Sequence, residues 1–147
     1  MNSDKLMEEL IIVFQNFSEI NSKHYDKNYD NLNMNEVHTI DFIGKNENSN
    51  LKAITQGLGI TKGAVTKITK RLEMRELISF YRKEDNKKEK YFRLEAKGKE
   101  VYEKHLELHK KAFDRDKKVF NNYNETEKIV IDRFLKDLSE DIKSRIK

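Results

Sequence analysis

Four histidines, His24, His38, His105 and His109, are the residues whose type and spacing invite a chemical reading first. His105 and His109 are four apart, the spacing by which one helix face presents two imidazoles to one metal ion, as in an HExxH motif. His38 interrupts an apolar helix side, and His24 follows the stripe Leu6, Leu10, Val13, Phe17 and Ile20 at helical spacing. All four are therefore expected on faces that point inward. Zinc takes about four N, O or S ligands in a tetrahedral array, and neutral imidazoles on three converging helices could supply them. A plainer reading stands beside this one: a histidine on an apolar face is commonly a core residue with a satisfied hydrogen bond. An i,i+4 pair on a Lys/Glu-rich helix also arises by chance. Catalysis fits poorly, because Glu107 projects about 160° away from the face shared by His105 and His109 at ~100° per residue. No HExxH motif, Gly-rich phosphate loop or Ser–His–Asp set is present, so no enzyme activity is expected.

The elements that must carry these residues follow from periodicity. A first helix is expected from about Asp4 to about Lys23, then a polar loop over YDKNYDNLN. A second helix is expected from Met34 or Asn35 to about Gly44, with Val37, His38, Ile40, Phe42 and Ile43 inward and the turn KNENSN after it. In LKAITQGLGITKGAVTKITKRLEMRELI, Leu51, Ile54 and Leu58 repeat at helical spacing until Gly59 ends the helix. Thr61 then reads as an N-cap, and Val65, Ile68 and Leu72 form a new inward stripe. The other side carries Lys62, Thr66, Lys67, Thr69 and Lys70. One face buried and one offering hydroxyls and cations is the pattern of a helix-turn-helix. ISFYRKEDNKKEKYFRL then shifts to period two. It reads as a β-hairpin, with strands at Ile78 to Tyr81 and Tyr91 to Leu94 and a charged tip from Arg82 to Lys90.

A long helix is expected from about Ala96 towards Phe120, with Val101, Tyr102, His105, Leu108, Ala112 and Phe113 on its apolar side. After NNYNET, where Asn124 or Thr126 could cap, a last helix carries Ile129, Val130, Phe134, Leu135, Leu138 and Ile142. The expected fold is mainly α with a small β-hairpin, a single protomer over 1–147. A winged helix-turn-helix part spans 34–95, with dimerisation helices at 1–30 and 96–147. The terminal helices carry more apolar surface than one small winged domain can bury, which points to a homodimer with two recognition helices at fixed spacing.

Composition agrees. In 147 residues, 38% are charged and 36% hydrophobic, lean for a self-sufficient core. Between Leu51 and Arg93 there are 12 Lys and Arg against 5 Asp and Glu, a net +7, leaving 18 against 21 elsewhere. A basic middle between mildly acidic arms is an electrostatic footprint for double-stranded DNA. Without cysteine, neither a disulfide framework nor a thiolate metal site is possible. The N-terminus lacks a signal-peptide pattern and no apolar run approaches a membrane span, so a cytoplasmic protein without membrane contact is expected.

The order of parts, with AITQGLGITKGAVTKITKRLEMRELI and YFRLEAKGKE, resembles the MarR family of bacterial transcriptional regulators over essentially the whole chain. The resemblance implies a dimeric regulator with its recognition helix in the major groove and its wing at the minor groove. It places Thr61, Lys62, Gly63, Thr66, Lys67 and Lys70 at the groove and Lys87, Lys88 and Lys90 on the wing. Where the family wing usually holds an Asp and an Arg two residues apart, this chain has Asn86 and Lys88. Lysine binds phosphate as a point charge, so more electrostatic and less shape-reading wing contacts are expected. From EKHLELHKK to ETEKIVIDRFLKDL the chain looks most like the AdcR/ZitR-type zinc-responsive repressors. That likeness implies that His38, His105 and His109 ligate zinc. For a fourth ligand, His24 is preferred over Glu19 and Asp26, because it continues the inward stripe. The other family habit, binding a small aromatic or amphipathic ligand without metal, is the alternative, with Phe14, Phe17, Tyr25, Tyr29 and Phe42 as possible lining.

Overall fold

The first helix starts where Asn2 supplies an N-cap, its side-chain oxygen accepting from the Lys5 amide at 2.9 Å. The structure, a computed structural model, describes residues 1–146. Lys147, the last residue of the expected C-terminal arm, lies outside them. Helix α1 (Ser3–Asn28) runs a full turn beyond its expected end, into the first four residues of the segment read from sequence as a loop. The cause is tertiary: Tyr25 and Tyr29 are buried at 8% and 2% exposure, and their packing holds a polar stretch helical. Asp30 and Asn31 then turn the chain with φ of 38° and 64°, left-handed values that Asp and Asn tolerate better than most residues.

Helix α2 (Met34–Lys45) opens on a capping box, in which Asn33 and Glu36 each satisfy the other's backbone amide. A short strand β1 (Ser49–Asn50) follows, within the stretch read as a turn, and Asn50 also caps α3 (Leu51–Leu58). Gly59 ends α3 at φ 67°, a conformation that costs glycine no steric strain. Thr61 caps α4 (Lys62–Met74), accepting from the Ala64 amide at 3.1 Å. Both signals were legible in the sequence. Strands β2 (Ile78–Lys83) and β3 (Asn86–Leu94) form the hairpin, and β1 pairs with the other edge of β3, giving the antiparallel order β1-β3-β2.

The hairpin is longer than its apolar runs suggested, and only Glu84 and Asp85 separate the two strands. Its charged residues lie in the strands because cationic side chains rest on aromatic rings. Lys90 Nζ sits 4.3 Å from the Phe80 ring centroid, Lys83 Nζ 4.4 Å from Tyr91 and Arg93 4.7 Å from Tyr81. Arg82 also donates to the Lys87 and Lys88 carbonyls, each at 3.0 Å.

Helix α5 (Ala96–Asp116) begins against this hairpin, where a Cβ on the buried Gly98 would collide with the Leu77 carbonyl. A 3-10 turn (Lys117–Asn122) replaces the expected end of this helix, and α6 (Glu125–Arg145) starts from an Asn124 capping box.

The chain divides into two compact units, Met1–Leu106 and the segment from Glu107 onward. The first holds the core: Val37, Ile40, Ile54, Val65 and Leu72 are fully buried, and Ile78 is 2% exposed. In the second, no described residue is buried. Among the described residues, no helix is long and apolar enough to cross a membrane.

Candidate nucleic-acid interface and histidine cluster

Helices α3 and α4 turn their apolar stripes inward, which leaves their remaining faces to line a groove with the wing. This groove, about 560 Å³, is walled by Lys52, Thr55 and Gln56 of α3, Lys62, Thr66, Thr69, Lys70 and Glu73 of α4, and Lys88, Glu89 and Lys90 of β3, with Leu51 and Phe92 beneath. Five lysines against two glutamates make it cationic. Of the residues expected to touch DNA, Lys62, Thr66, Lys70, Lys88 and Lys90 share this groove. Thr61, Gly63, Lys67 and Lys87 are exposed but do not line it.

The hydroxyls are partly committed. Thr66 donates to the Lys62 carbonyl at 2.9 Å, and the Thr61 oxygen caps the helix. Thr69, expected on the outward side, is only 3% exposed and donates to the Thr66 carbonyl. It sits one residue from the buried Ile68, so the inward face of α4 is wider than the Val65–Ile68–Leu72 stripe alone. Lys52 and Gln56 were not singled out from the sequence, although their positions opposite Leu51, Ile54 and Leu58 gave the signal.

Two arginines tie the far end of α4 to the turn between α1 and α2 and to the first turn of α2. Arg75 donates to the Asp30 carbonyl at 2.8 Å, and Arg71 lies 3.5 Å from the buried Glu36 carboxylate.

Three of the four histidines gather in the first unit. The His38 and His105 rings meet edge-on with centroids 5.7 Å apart, and His24 packs against Tyr25 and Tyr29 at 5.3 and 5.6 Å. The two tyrosines bridge them to the other helices. Tyr25 Oη is 3.0 Å from His38 Nε2, and Tyr29 Oη is 3.2 Å from His105 Nδ1. His24 Nδ1 lies 3.3 Å from the Asn28 amide nitrogen. His105 is buried and His24 and His38 half-buried, whereas His109 is exposed, against the expectation that all four point inward. The apolar side of α5 weakens beyond Leu108: Ala112 is half-buried and Phe113 is 62% exposed.

A carboxylate that the sequence did not single out belongs to this cluster. Asp41, on α2 one turn after His38, places Oδ1 4.0 Å from His105 Nε2 and accepts from Lys45 Nζ at Oδ2, 2.9 Å away. Burial, then Tyr25 and then the Asp41 charge push the Tyr29 phenol up to about 12, and burial followed by Asp41 raises that of Tyr25. Both phenols therefore stay neutral around physiological pH. The donor types, imidazole nitrogen and carboxylate oxygen, are those zinc prefers in a chain without cysteine. Among the described residues, however, no three His, Asp or Glu side chains stand close enough together to hold a metal ion as placed. Glu19 is 65% exposed at its side chain and pairs with Lys23, and Asp26 is exposed.

Comparison with known proteins matches a MarR family model to residues 32–90. The HTH-type transcriptional regulator PchR of Bacillus subtilis (strain 168) is 36% identical over 107 residues, 73% of this chain. The chain spans 63% of that relative's length. Among solved structures, Streptococcus pneumoniae FabT in complex with DNA aligns with a TM-score of 0.81 at 24% identity, covering 97% of this chain and 99% of FabT. Lactococcus lactis ZitR, described as a zinc-responsive MarR family member, aligns with a TM-score of 0.79 at 22% identity, covering 96% and 99%. At these identities the structural likeness speaks to the fold.

Proposed function

The chain belongs to the MarR family, and from that premise we propose that it is a dimeric, sequence-specific DNA-binding regulator of transcription, a cytoplasmic repressor controlled by zinc. The observation that carries the DNA reading is the cationic groove between α3, α4 and the wing, with lysines from all three elements and threonine hydroxyls on its α3 and α4 walls. Lysines would neutralise phosphates and set affinity, while Thr66 and Gln56 of the groove lining would meet base edges. The FabT complex, which shares the fold, binds DNA.

Dimerisation is supported by apolar side chains left bare in one chain. Phe17 and Ile20 of α1 are each 63% exposed, and Ile129 and Phe134 of α6 are 70% and 49% exposed. Exposed apolar side chains at helical periodicity on a charged protein support an interface between protomers.

The zinc reading rests on the cluster of His24, His38 and His105, with His109 added by its i,i+4 spacing, and on the likeness to ZitR. A bound zinc ion would supply a cross-link between side chains of α1, α2 and α5. The protein's own contacts offer a route from that cluster to the recognition helix. Tyr29 touches His105, the next residue is Asp30, and the Asp30 carbonyl holds Arg75 just past the end of α4. Ordering Tyr29 would thus bear on the placement of α4, and zinc and DNA would each strengthen the binding of the other. The rival reading, a small aromatic ligand, is less favoured. Tyr25 and Tyr29 already engage histidines, and Phe14 and Phe17 are 45% and 63% exposed on α1.

The test is a mobility shift with purified dimer and a duplex selected from a random pool, run in zinc and in chelator. Retardation that strengthens with zinc is expected. Equal retardation in both sinks zinc control, and no selected duplex sinks the DNA reading.

A further inference from the structure

In a regular strand successive side chains point to opposite faces, so three consecutive residues do not share one wall. Yet Lys88, Glu89 and Lys90 of β3 all line the groove beside α4. The pairing register shows how. Tyr81 pairs with Tyr91 and Lys83 with Asn86. Between these pairs the single residue Arg82 of β2 therefore stands against four of β3, Lys87, Lys88, Glu89 and Lys90. The surplus forms a β-bulge, a device that re-aims side chains and leaves backbone groups without ladder partners.

Arg82 takes up those backbone groups. Its Nη1 donates to both the Lys87 and the Lys88 carbonyl, at 3.0 Å each. On the far side of the bulge, the Glu89 amide donates to Asn86 Oδ1 at 3.3 Å. The Arg82 guanidinium also lies 5.5 Å from the Phe80 ring centroid, and Lys90 Nζ lies 4.3 Å from the same ring. One side chain thus holds the backbone of one groove lysine and shares an aromatic seat with the other. Arg82 itself is exposed and does not line the groove. An exposed arginine gives up rotamer freedom to make such contacts, and this one spends both hydrogens of Nη1 inside the hairpin.

We infer that Arg82 is a positioning residue for DNA binding: by bracing the β3 bulge it holds Lys88 and Lys90 on the groove wall, where they meet phosphates. The inference rests on the DNA reading above. It goes beyond that reading by assigning a residue that acts through the wing lysines and not by touching the duplex.

The test is a double-mutant cycle on the full-length protein, with the selected duplex titrated at several salt concentrations. Arg82→Met keeps an apolar stem beside Phe80 and removes the donors. It is expected to weaken binding roughly tenfold. The slope of log affinity against log salt should fall by about 0.9 for each lysine displaced from a phosphate, as it does directly in Lys88→Ala with Lys90→Ala. Added to that lysine pair, Arg82→Met should cost less than about twofold more, because the groups through which it acts are gone. Melting curves check folding, and Arg82→Ala carries the same cycle if Arg82→Met does not fold. Wild-type binding by the Arg82 variant, or a loss that persists in full beside the two lysine substitutions, would overturn the inference and leave the DNA reading standing. If the wild-type protein selects no duplex, both fall.

Discussion

The two units of this chain solve the burial problem in opposite ways. In the first, Ile54, Val65 and Leu72 have no exposed surface, and elements from α2 to β3 close around them. In the segment from Glu107 onward, the periodic apolar residues are equally regular, yet Phe113, Ile129 and Phe134 are 62%, 70% and 49% exposed. An amphipathic stripe states that a face will be buried and not against what. The first unit answers within its own chain. The second, like the N-terminal two-thirds of α1, leaves the same kind of stripe exposed.

That contrast can be broken by mutation. Ile54→Ala, in the closed core, is expected to cost about 2–5 kcal/mol in urea unfolding, the range for large-to-small core changes. Phe134→Ala, of larger volume change, should cost the monomer little. A similar loss at both sites, independent of protein concentration, would erase the distinction.

Lys62→Ala with Lys70→Ala should leave folding intact and weaken DNA binding roughly tenfold or more. The slope of log affinity against log salt should fall by about 0.9 for each phosphate that no longer meets a lysine. Lys118→Ala in the second unit should change neither. Phe134→Ala is expected to raise the dimer dissociation constant about tenfold in sedimentation equilibrium, making the melting temperature depend on concentration.

Tyr29 sharpens the comparison by titration. Its phenol is raised from 10.0 to about 12 in the folded chain, so the neutral form is the one folding favours. The stabilisation is therefore complete below pH ~10 and is lost as pH rises through ~12. Ultraviolet titration should show this tyrosine ionising late, and Tyr29→Phe should remove that phase.

The smallest effect is expected at Gly63, where a Cβ would meet nothing within 4 Å. Gly63→Ala should stabilise α4 by up to about 1 kcal/mol while weakening DNA binding if a phosphate approaches that backbone closely. Unchanged DNA affinity would take Gly63 out of the interface.

Sequence reading succeeded wherever structure is decided within a few residues. Gly59, Thr61 and Asn124 cap or end helices through their own φ or side-chain oxygen, and the stripe of α4 fixed which lysines face out. It failed where the deciding partner is distant. The last turn of α1 looks like a loop until Tyr25 and Tyr29 are seen against His38 and His105. Strand β1 exists because β3 lies beside it, and Thr69 turned out to be buried. Asp41 carried no signal, since an aspartate with a lysine four residues on reads as an ordinary solvated pair.

The amino-acid order by itself determined the helices, the turn between α3 and α4, the basic groove face and the surplus of apolar surface, because periodicity and capping act over one or two turns. Only the tertiary structure decided which titratable groups meet. His24, His38 and His105 lie on three helices separated in sequence by up to 81 positions, and their company depends on packing. Packing also left Asp41 Oδ1 facing His105 without a hydrogen-bond partner, and His109, one turn further along α5, exposed.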